Sequence, residues 1–119
     1  MTTLTVKIES LEDTMSRMAL DMRQSGPASF QDVAATLSFP SWDAMHRVLA
    51  PKRLDILKAL VGQGPLSIRE VARRVGRDFK GVHTDVDTLM NNGVVEKAPG
   101  GIVFPYDRIH FDFDIEAAA

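Results

Sequence analysis

The chain has 119 residues, of which 45% are hydrophobic and 25% charged, and a formal net charge of −2. This length and composition predict a small globular protein and exclude both a disordered chain and a two-domain enzyme. No apolar run approaches the ~18–20 residues of a membrane span, no leader pattern opens the chain, and no cysteine is present to form disulfides or thiolate metal sites, so we expect a cytoplasmic protein.

The first forty residues predict a strand and then a helix. Apolar and polar residues alternate from Thr3 to Glu9, which is typical of a strand with one buried face. The helix opens at Ser10 and its apolar residues recur at helical spacing. The apolar positions are Leu4, Val6 and Ile8 in the strand and Leu11, Met15, Met18 and Met22 in the helix. Residues 23–29 predict a loop, and residues 30–39 fit either a helix or, from Thr36, a strand.

Two helices are predicted next. Ser41 can cap a helix that carries apolar residues from Trp42 to Leu49. Pro51 stands at a position that starts helices, and the leucines from 54 to 60 follow at helical spacing.

The stretch from Gly64 to Gly93 predicts two short amphipathic helices joined by a glycine turn. Ser67 and Glu70 form a capping box for the first helix, and Gly76 is placed to end it. The second helix is predicted to bury Phe79, Val82, Val86 and Leu89 and to end at Gly93. A short helix, a tight turn and a longer helix form a helix-turn-helix, whose second helix fits the major groove of DNA.

A strand, a turn and a strand follow, over residues 94–98, 99–101 and 102–104. Three helices and a hairpin predict a winged helix-turn-helix with residues 51–104 as its minimal unit. Apolar residues alternate again from Ile109 to Ile115, which predicts a last one-sided strand. The predicted fold is therefore α+β and mainly helical, with a strand–helix extension over residues 1–40 and the winged helix-turn-helix and C-terminal strand over residues 41–119.

The whole chain resembles a family of small MarR-like winged-helix regulators of bacteria and archaea. The resemblance lies in four stretches, residues 3–8, 51–57, 64–76 and 107–113. It implies a transcriptional regulator, and several members resemble antitoxins of toxin–antitoxin pairs that repress their own operon. Thr84 stands where relatives often carry a basic residue facing the groove.

Charge is distributed unevenly along the chain. Residues 51–97 hold nine Lys/Arg against six Asp/Glu, a net charge of +3, whereas the remainder holds five against ten, a net charge of −5. Attraction to phosphate depends on the local face, so the basic segment is compatible with DNA binding. The acidic flanks would weaken nonspecific DNA binding or serve a basic partner.

Several polar and basic residues around the predicted turn are candidates for DNA contact. Basic side chains can reach guanine edges or phosphates, threonines can meet a thymine methyl group or a phosphate, and Gly81 allows close approach of the backbone. Asp85 and Asp87 would repel phosphate and are expected to bond locally. The alternative is that these side chains are ordinary solvated surface. The candidates are Ser67, Arg69, Arg73, Arg74, Arg77, Lys80, Gly81, His83, Thr84, Thr88, Lys97 and Gly100.

The predicted terminal strands can pair with each other or with a second copy, and the methionine-lined helix can pack on the chain's own core or form a seam. Because helix-turn-helix proteins commonly bind pseudo-palindromic DNA as twofold dimers, we expect a homodimer. The expected interface residues are Leu4, Val6, Ile8, Leu11, Met15, Met18, Met22, Phe111 and Phe113. The other expected partners are double-stranded DNA and a small basic toxin protein.

Enzymatic functions have little support in the sequence. His46, His83 and His110 are scattered without paired ligand spacing, so no metal site is expected. No nucleophile elbow, phosphate-binding loop or dinucleotide fingerprint is present. We therefore expect a non-enzyme without cofactors. Three functions stay open: a DNA-binding regulator, an antitoxin that also binds DNA, and a winged helix that contacts only protein or RNA.

Overall fold

The computed structural model describes residues 2–9, 11–24, 35–115 and 117, and it has the predicted α+β class. The elements in chain order are β1 (Thr3–Ile8), α1 (Leu11–Gln24), β2 (Ala35–Phe39), α2 (Trp42–Val48), α3 (Pro51–Leu60), α4 (Ile68–Val75), α5 (Phe79–Asn91), β3 (Glu96–Ala98), β4 (Gly101–Val103) and β5 (Arg108–Phe111). Within these ranges, no helix is long and apolar enough to cross a membrane.

The chain divides into two units, Met1–Met45 with Arg108–Ala119, and His46–Asp107. We call them the sheet unit and the helical unit. The last strand belongs to the sheet unit with the first, because β5 pairs with β1. The division of the sequence into segments 1–40 and 41–119 stays a prediction.

The sheet unit is built on three parallel strands in the order β2-β1-β5. Leu4 lies between Ala35 and Ile109, and Val6 lies between Leu37 and Phe111. Side chains of laterally paired residues point to the same face, so the apolar residues of all three strands share one face. The one-sided pattern of β1 is confirmed, and so is the pairing of the two terminal strands with each other. β5 ends at Phe111, so the predicted continuation of the last strand to Ile115, which is 90% exposed, is wrong. Residues 35–39 form a strand, whereas residues 30–34 lie outside the described residues.

This pairing buries two of the residues that were expected at a dimer interface. Leu4 and Val6 are buried in the sheet unit itself, so their assignment to an interface between copies is wrong. Phe113 is half-buried and packs edge-on against Trp42, with ring centroids 4.5 Å apart. Ile8 is half-buried and Phe111 is exposed.

Helix α1 keeps part of its apolar side in solvent. Met15 is 62% exposed and Met18 is 54% exposed, so these two side chains do not pack on the chain's own core. The side chains of Leu11 and Met22 lie outside the described part of the chain. The alternative that the methionine row packs inside the molecule is therefore excluded for Met15 and Met18.

The helical unit packs α3, α4 and α5 around one apolar core. Its most buried members are Ile56 and Leu60 from α3, Val71 from α4, Val82, Val86 and Leu89 from α5, and Val94 after α5. Strands β3 and β4 pair as an antiparallel hairpin with Lys97 opposite Ile102. The predicted helices and the predicted hairpin are confirmed.

The segment before α4 is tied to this hairpin. The backbone groups of Leu66 and Ile102 exchange two hydrogen bonds, of 2.9 and 2.8 Å. Gly101 lies beside this bridge with a φ of 148°, and a Cβ there would come within 2.1 Å of the Leu66 carbonyl oxygen. Only glycine therefore allows the hairpin to approach the start of α4 so closely.

Both helices of the predicted turn have identifiable ends. The Ser67 hydroxyl oxygen accepts from the Glu70 backbone N–H at 3.0 Å, and Gly76 ends α4 in the left-handed conformation, both as predicted. Asp78 caps α5 by accepting from the Gly81 N–H at 2.9 Å, a cap that the sequence analysis missed.

Candidate nucleic-acid interface

The residues of α5 separate into a core side and a solvent side. The core side carries Val82, Val86 and Leu89 together with the carboxylate of Asp85. Lys80, His83 and Thr84 are exposed, and Gly81, Asp87 and Thr88 are half-buried. The candidate DNA-contacting residues of this helix therefore all lie away from the fully buried positions.

The two threonines of α5 donate within the helix. The Thr84 hydroxyl donates to the Lys80 carbonyl at 3.1 Å, and the Thr88 hydroxyl donates to the Thr84 carbonyl at 3.3 Å. Since each hydroxyl has a single proton, both side chains are left with an acceptor oxygen and a methyl group. They are suited to apolar contact and poorly suited to donating to phosphate.

Arg73 and Arg74 share one carboxylate. Arg73 Nε lies 3.0 Å from both carboxylate oxygens of Glu70, and Arg74 Nε lies 3.2 Å from Oε1 of the same residue. Arg74 also donates to the Gln63 side-chain oxygen at 3.0 Å. Hydrogen bonds from Arg73 and then Arg74 lower the pKa of Glu70 from 4.5 to about 2, and the same contact raises the pKa of Arg73. Part of the positive charge of α4 is therefore neutralised locally.

Arg77 is held by a buried carboxylate. Its Nη1 lies 2.8 Å from Oδ2 of Asp85, while Arg53 Nε on α3 lies 3.2 Å from Oδ1 of the same residue. Asp85 is the one buried charged side chain among the described residues. Asp85 is paired inside the protein, as expected, by ion contacts with one nearby and one distant arginine, and Arg77 is directed inward instead of standing free at the start of α5.

Three of the candidate cations have no acidic partner in the part of the chain that the structure describes: Arg69, Lys80 and Lys97, all exposed. The Arg69 guanidinium lies over the ring of Phe79, 5.6 Å from its centroid. Phe79 is 46% exposed, so its predicted burial is wrong. Phe79 is the first residue of α5 and precedes the turns that pack on α3 and α4. Its ring therefore contacts the Arg69 guanidinium group and does not enter the core.

A cleft of about 470 Å³ separates α5 from the hairpin. It is lined by Ile68, His83, Asp87, Met90, Lys97, Ala98, Gly101 and Ile102. His83 Nδ1 lies 3.4 Å from the Asp87 carboxylate on the helix side, and Lys97 supplies a cation on the hairpin side. Ser67 and Gly100, the other two candidates, are exposed at the start of α4 and at the hairpin turn.

Sequence reasoning missed two parts of this arrangement. The first is the contact between Arg53 and Asp85. Asp85 has the spacing of a core residue between Val82 and Leu89, and a charge buried at such a position needs a partner of opposite charge, so the sequence did contain a signal for this contact. The exposure of Phe79 carried no such signal, because its spacing matches that of the buried residues. No group of His, Cys, Asp and Glu side chains that could hold a metal ion occurs in the described ranges.

A profile of the family HVO_A0114 matches residues 48–111, which is more than half of the chain. The chain therefore belongs to the HVO_A0114 family. The matched range contains α3, α4, α5, the hairpin and β5. No curated protein and no solved structure matches the chain.

Glu70→Gln should destabilise the protein in a pH-dependent way. The folded-state pKa of Glu70 is depressed, so its contribution is present above pH 4.5 and is lost as the pH falls towards about 2. The midpoint of thermal unfolding of the variant should therefore lie below that of the wild type at pH 7, and the gap should close on acidification. Asp55→Asn, which removes a carboxylate 3.9 Å from Lys58, is the control and should show a smaller gap. A gap that is constant with pH would contradict this assignment.

Asp85→Asn should lower the free energy of unfolding by about 2–3 kcal/mol, because it leaves two largely buried guanidinium groups without a counter-charge. Urea unfolding followed by circular dichroism measures the change. Asp87→Asn is the matched control, since its half-exposed pair with His83 should contribute less than about 0.5 kcal/mol. An equal loss of unfolding free energy in the two variants would contradict the stabilising role given to the ion pairs of Asp85.

Proposed function

We propose that this chain is a sequence-specific transcriptional regulator that binds double-stranded DNA as a winged helix. In this proposal α5 is the recognition helix and the β3–β4 hairpin is the wing. The observation that carries it is a set of three exposed cations without an acidic partner among the described residues. Lys80 is on α5, Arg69 lies over the ring of Phe79, which precedes Lys80 in the chain, and Lys97 lines the hairpin side of the cleft beside α5.

The geometry of α4 and α5 supports this assignment. An eight-residue helix, a turn at Gly76 and a thirteen-residue helix match a helix-turn-helix, in which the N-terminal residues of the second helix contact base edges. Lys80 is the second residue of α5 and is placed to reach a guanine edge or a phosphate. Lys97 lies across the cleft and is suited to a phosphate of the strand that runs between helix and wing.

The charges of the two units favour DNA as the partner of the helical unit. Residues 46–107 hold ten Lys/Arg against seven Asp/Glu, a net charge of +3, whereas the sheet unit holds four against nine, a net charge of −5. The acidic sheet unit would be repelled by phosphates and would limit nonspecific binding. Binding would therefore depend on the few free cations of the helical unit.

The acidic sheet unit favours a second role in the same protein, the binding of a basic partner protein. Combined with the resemblance to antitoxins, this supports a repressor that controls its own operon and sequesters a small basic toxin. A winged helix that contacts only protein or RNA is the alternative. Contact with protein alone would leave Lys80 and Lys97 without a role at the helix and the wing.

Removing both lysines tests the DNA-binding proposal. The full chain is first used to select duplexes from a random pool, and Lys80→Ala/Lys97→Ala is then compared with the wild type on the selected sequence. We expect a large loss of affinity and a slope of log K against log salt that is shallower by about 0.9 for each lost phosphate contact.

The double variant Lys52→Ala/Lys58→Ala is the matched control, because it removes the same two charges from exposed positions of α3. It should keep most of the affinity and the slope. Failure to select any duplex, or binding that does not respond to salt, would refute the regulator proposal. An equal loss in the control would refute the roles given to Lys80 and Lys97.

A homodimer is proposed as the DNA-binding form, with α1 at the interface. The exposed Met15 and Met18 support it, because water-exposed apolar side chains at helical spacing gain from contact with a second helix. Two recognition helices related by a twofold axis would bind half-sites one DNA turn apart, about 34 Å.

Light scattering of the full chain at tens of micromolar should give twice the 13.1 kDa mass of one chain, and Met15→Glu/Met18→Glu should give the single mass. Leu20→Glu is the control, because Leu20 is 53% exposed on the same helix but is rotated by about 140° from Met15. It should remain dimeric. A monomeric wild type would remove the dimer and the expectation of a palindromic site.

A further inference from the structure

We infer that Arg69 and Phe79 act as one unit that recognises a thymine and a nearby guanine in the major groove. The inference rests on the proposed DNA-binding function and adds to it the base pairs that are read. In it Phe79 contacts the 5-methyl group of the thymine with its ring edge, and Arg69 donates to O6 and N7 of the guanine.

The exposure of Phe79 is the first observation. This ring is 46% exposed at the first position of α5, where the N-terminal residues of a recognition helix meet base edges. Of the other large apolar residues of the helix, Val82, Val86 and Leu89 are fully buried and Met90 is half-buried. An aromatic side chain that solvent reaches at this position has an unused apolar surface beside the proposed DNA face.

The second observation is that the guanidinium group of Arg69 contacts a ring and not a carboxylate among the described residues. Its neighbours Arg73 and Arg74 are both held by Glu70, whereas Arg69 lies over the Phe79 ring and has no acidic partner in the described ranges. A cation–π contact with a ring holds a guanidinium group in place without using its N–H donors. Arg69 therefore keeps the planar set of donors that bidentate contact with guanine requires.

The surroundings of the ring decide how Phe79 would meet a base. Arg69 covers the ring at 5.6 Å, and the His83 imidazole lies 5.8 Å from it at an angle of 47°. With these two groups against it, the ring is poorly placed to stack on an unpaired base. Its edge is left for contact, and a thymine methyl group is the apolar feature that the major groove presents.

The spacing of the two groups sets the distance between the bases. The guanidinium carbon and the ring centroid are 5.6 Å apart, and successive bases of one strand rise by about 3.4 Å. The two contacts therefore fall on base pairs no more than two steps apart. A thymine and a guanine within two positions of each other should recur in each half-site.

Replacing single thymines by deoxyuridine tests the role of Phe79, because this change removes only the 5-methyl group. With the full wild-type chain and a selected duplex, one thymine per half-site should weaken binding about fourfold when replaced, the value of one buried methyl group. The same replacement should have no effect on binding by Phe79→Ala. Phe79→Leu, which keeps an apolar side chain, should retain part of the response and serves if Phe79→Ala does not fold.

Arg69→Lys tests the other half of the pair, because it keeps the charge and loses the planar donors. It should relax the preference for guanine within two positions of the sensitive thymine, by about tenfold or more, and leave the uridine response in place. Ile115→Ala is the control, since Ile115 is a 90% exposed apolar residue of the sheet unit outside the expected interface, and it should behave as the wild type on every duplex.

The outcomes separate this inference from the proposed function. Two results would overturn the roles given to Arg69 and Phe79 while leaving DNA binding in place. One is that uridine has no effect at any thymine of the selected duplexes, and the other is that it has the same effect on Phe79→Ala as on the wild type. Tighter binding to the separated strands than to the duplex would also overturn it, since stacking would then explain the exposed ring. Failure to bind any duplex would remove both proposals.

Discussion

The carboxylate of Asp85 is the point on which the helical unit depends. It is buried on the core side of α5, and the cost of removing a carboxylate from water is offset only because Arg53 and Arg77 stand at 3.2 and 2.8 Å. One arginine comes from α3 and the other from the turn before α5. The position and rotation of α5 are thereby fixed with respect to both, since a slip of one residue would separate the charges and leave them buried.

This constraint also decides which cations are available at the surface. Arg53 and Arg77 pair with the buried Asp85, Arg73 and Arg74 pair with Glu70, and Lys58 lies 3.9 Å from Asp55, so five of the ten basic residues of the helical unit pair with carboxylates of the same unit. Arg69, Lys80 and Lys97 carry the positive charge on the exposed sides of α4, α5 and the hairpin. The proposed DNA face is therefore small and selective, which suits a protein whose other unit is acidic.

The hairpin is held to the helices by a different constraint. The exchange of hydrogen bonds between Leu66 and Ile102 attaches β4 to the segment that leads into α4, and Gly101 permits the close approach. Because Ile102 lies opposite Lys97, the same bridge places Lys97 beside the cleft that α5 lines. Backbone pairing thus sets the geometry of the proposed wing, and the side chains at its surface are free to serve binding.

The sequence by itself determined the features that depend on neighbours along the chain. The Ser67 cap, the left-handed Gly76, the spacing of Val82, Val86 and Leu89 in α5 and the alternation in β1 are local, and each is where the pattern predicted it. Only the tertiary structure decided that Leu4 and Val6 are internal, that Arg77 turns inward and that Phe79 is exposed. The physical reason is that a periodic pattern shows which side of an element is apolar, whereas burial and ion pairing depend on partners distant in sequence. Arg53 and Asp85, thirty-two positions apart, are such partners, and only folding brings them together.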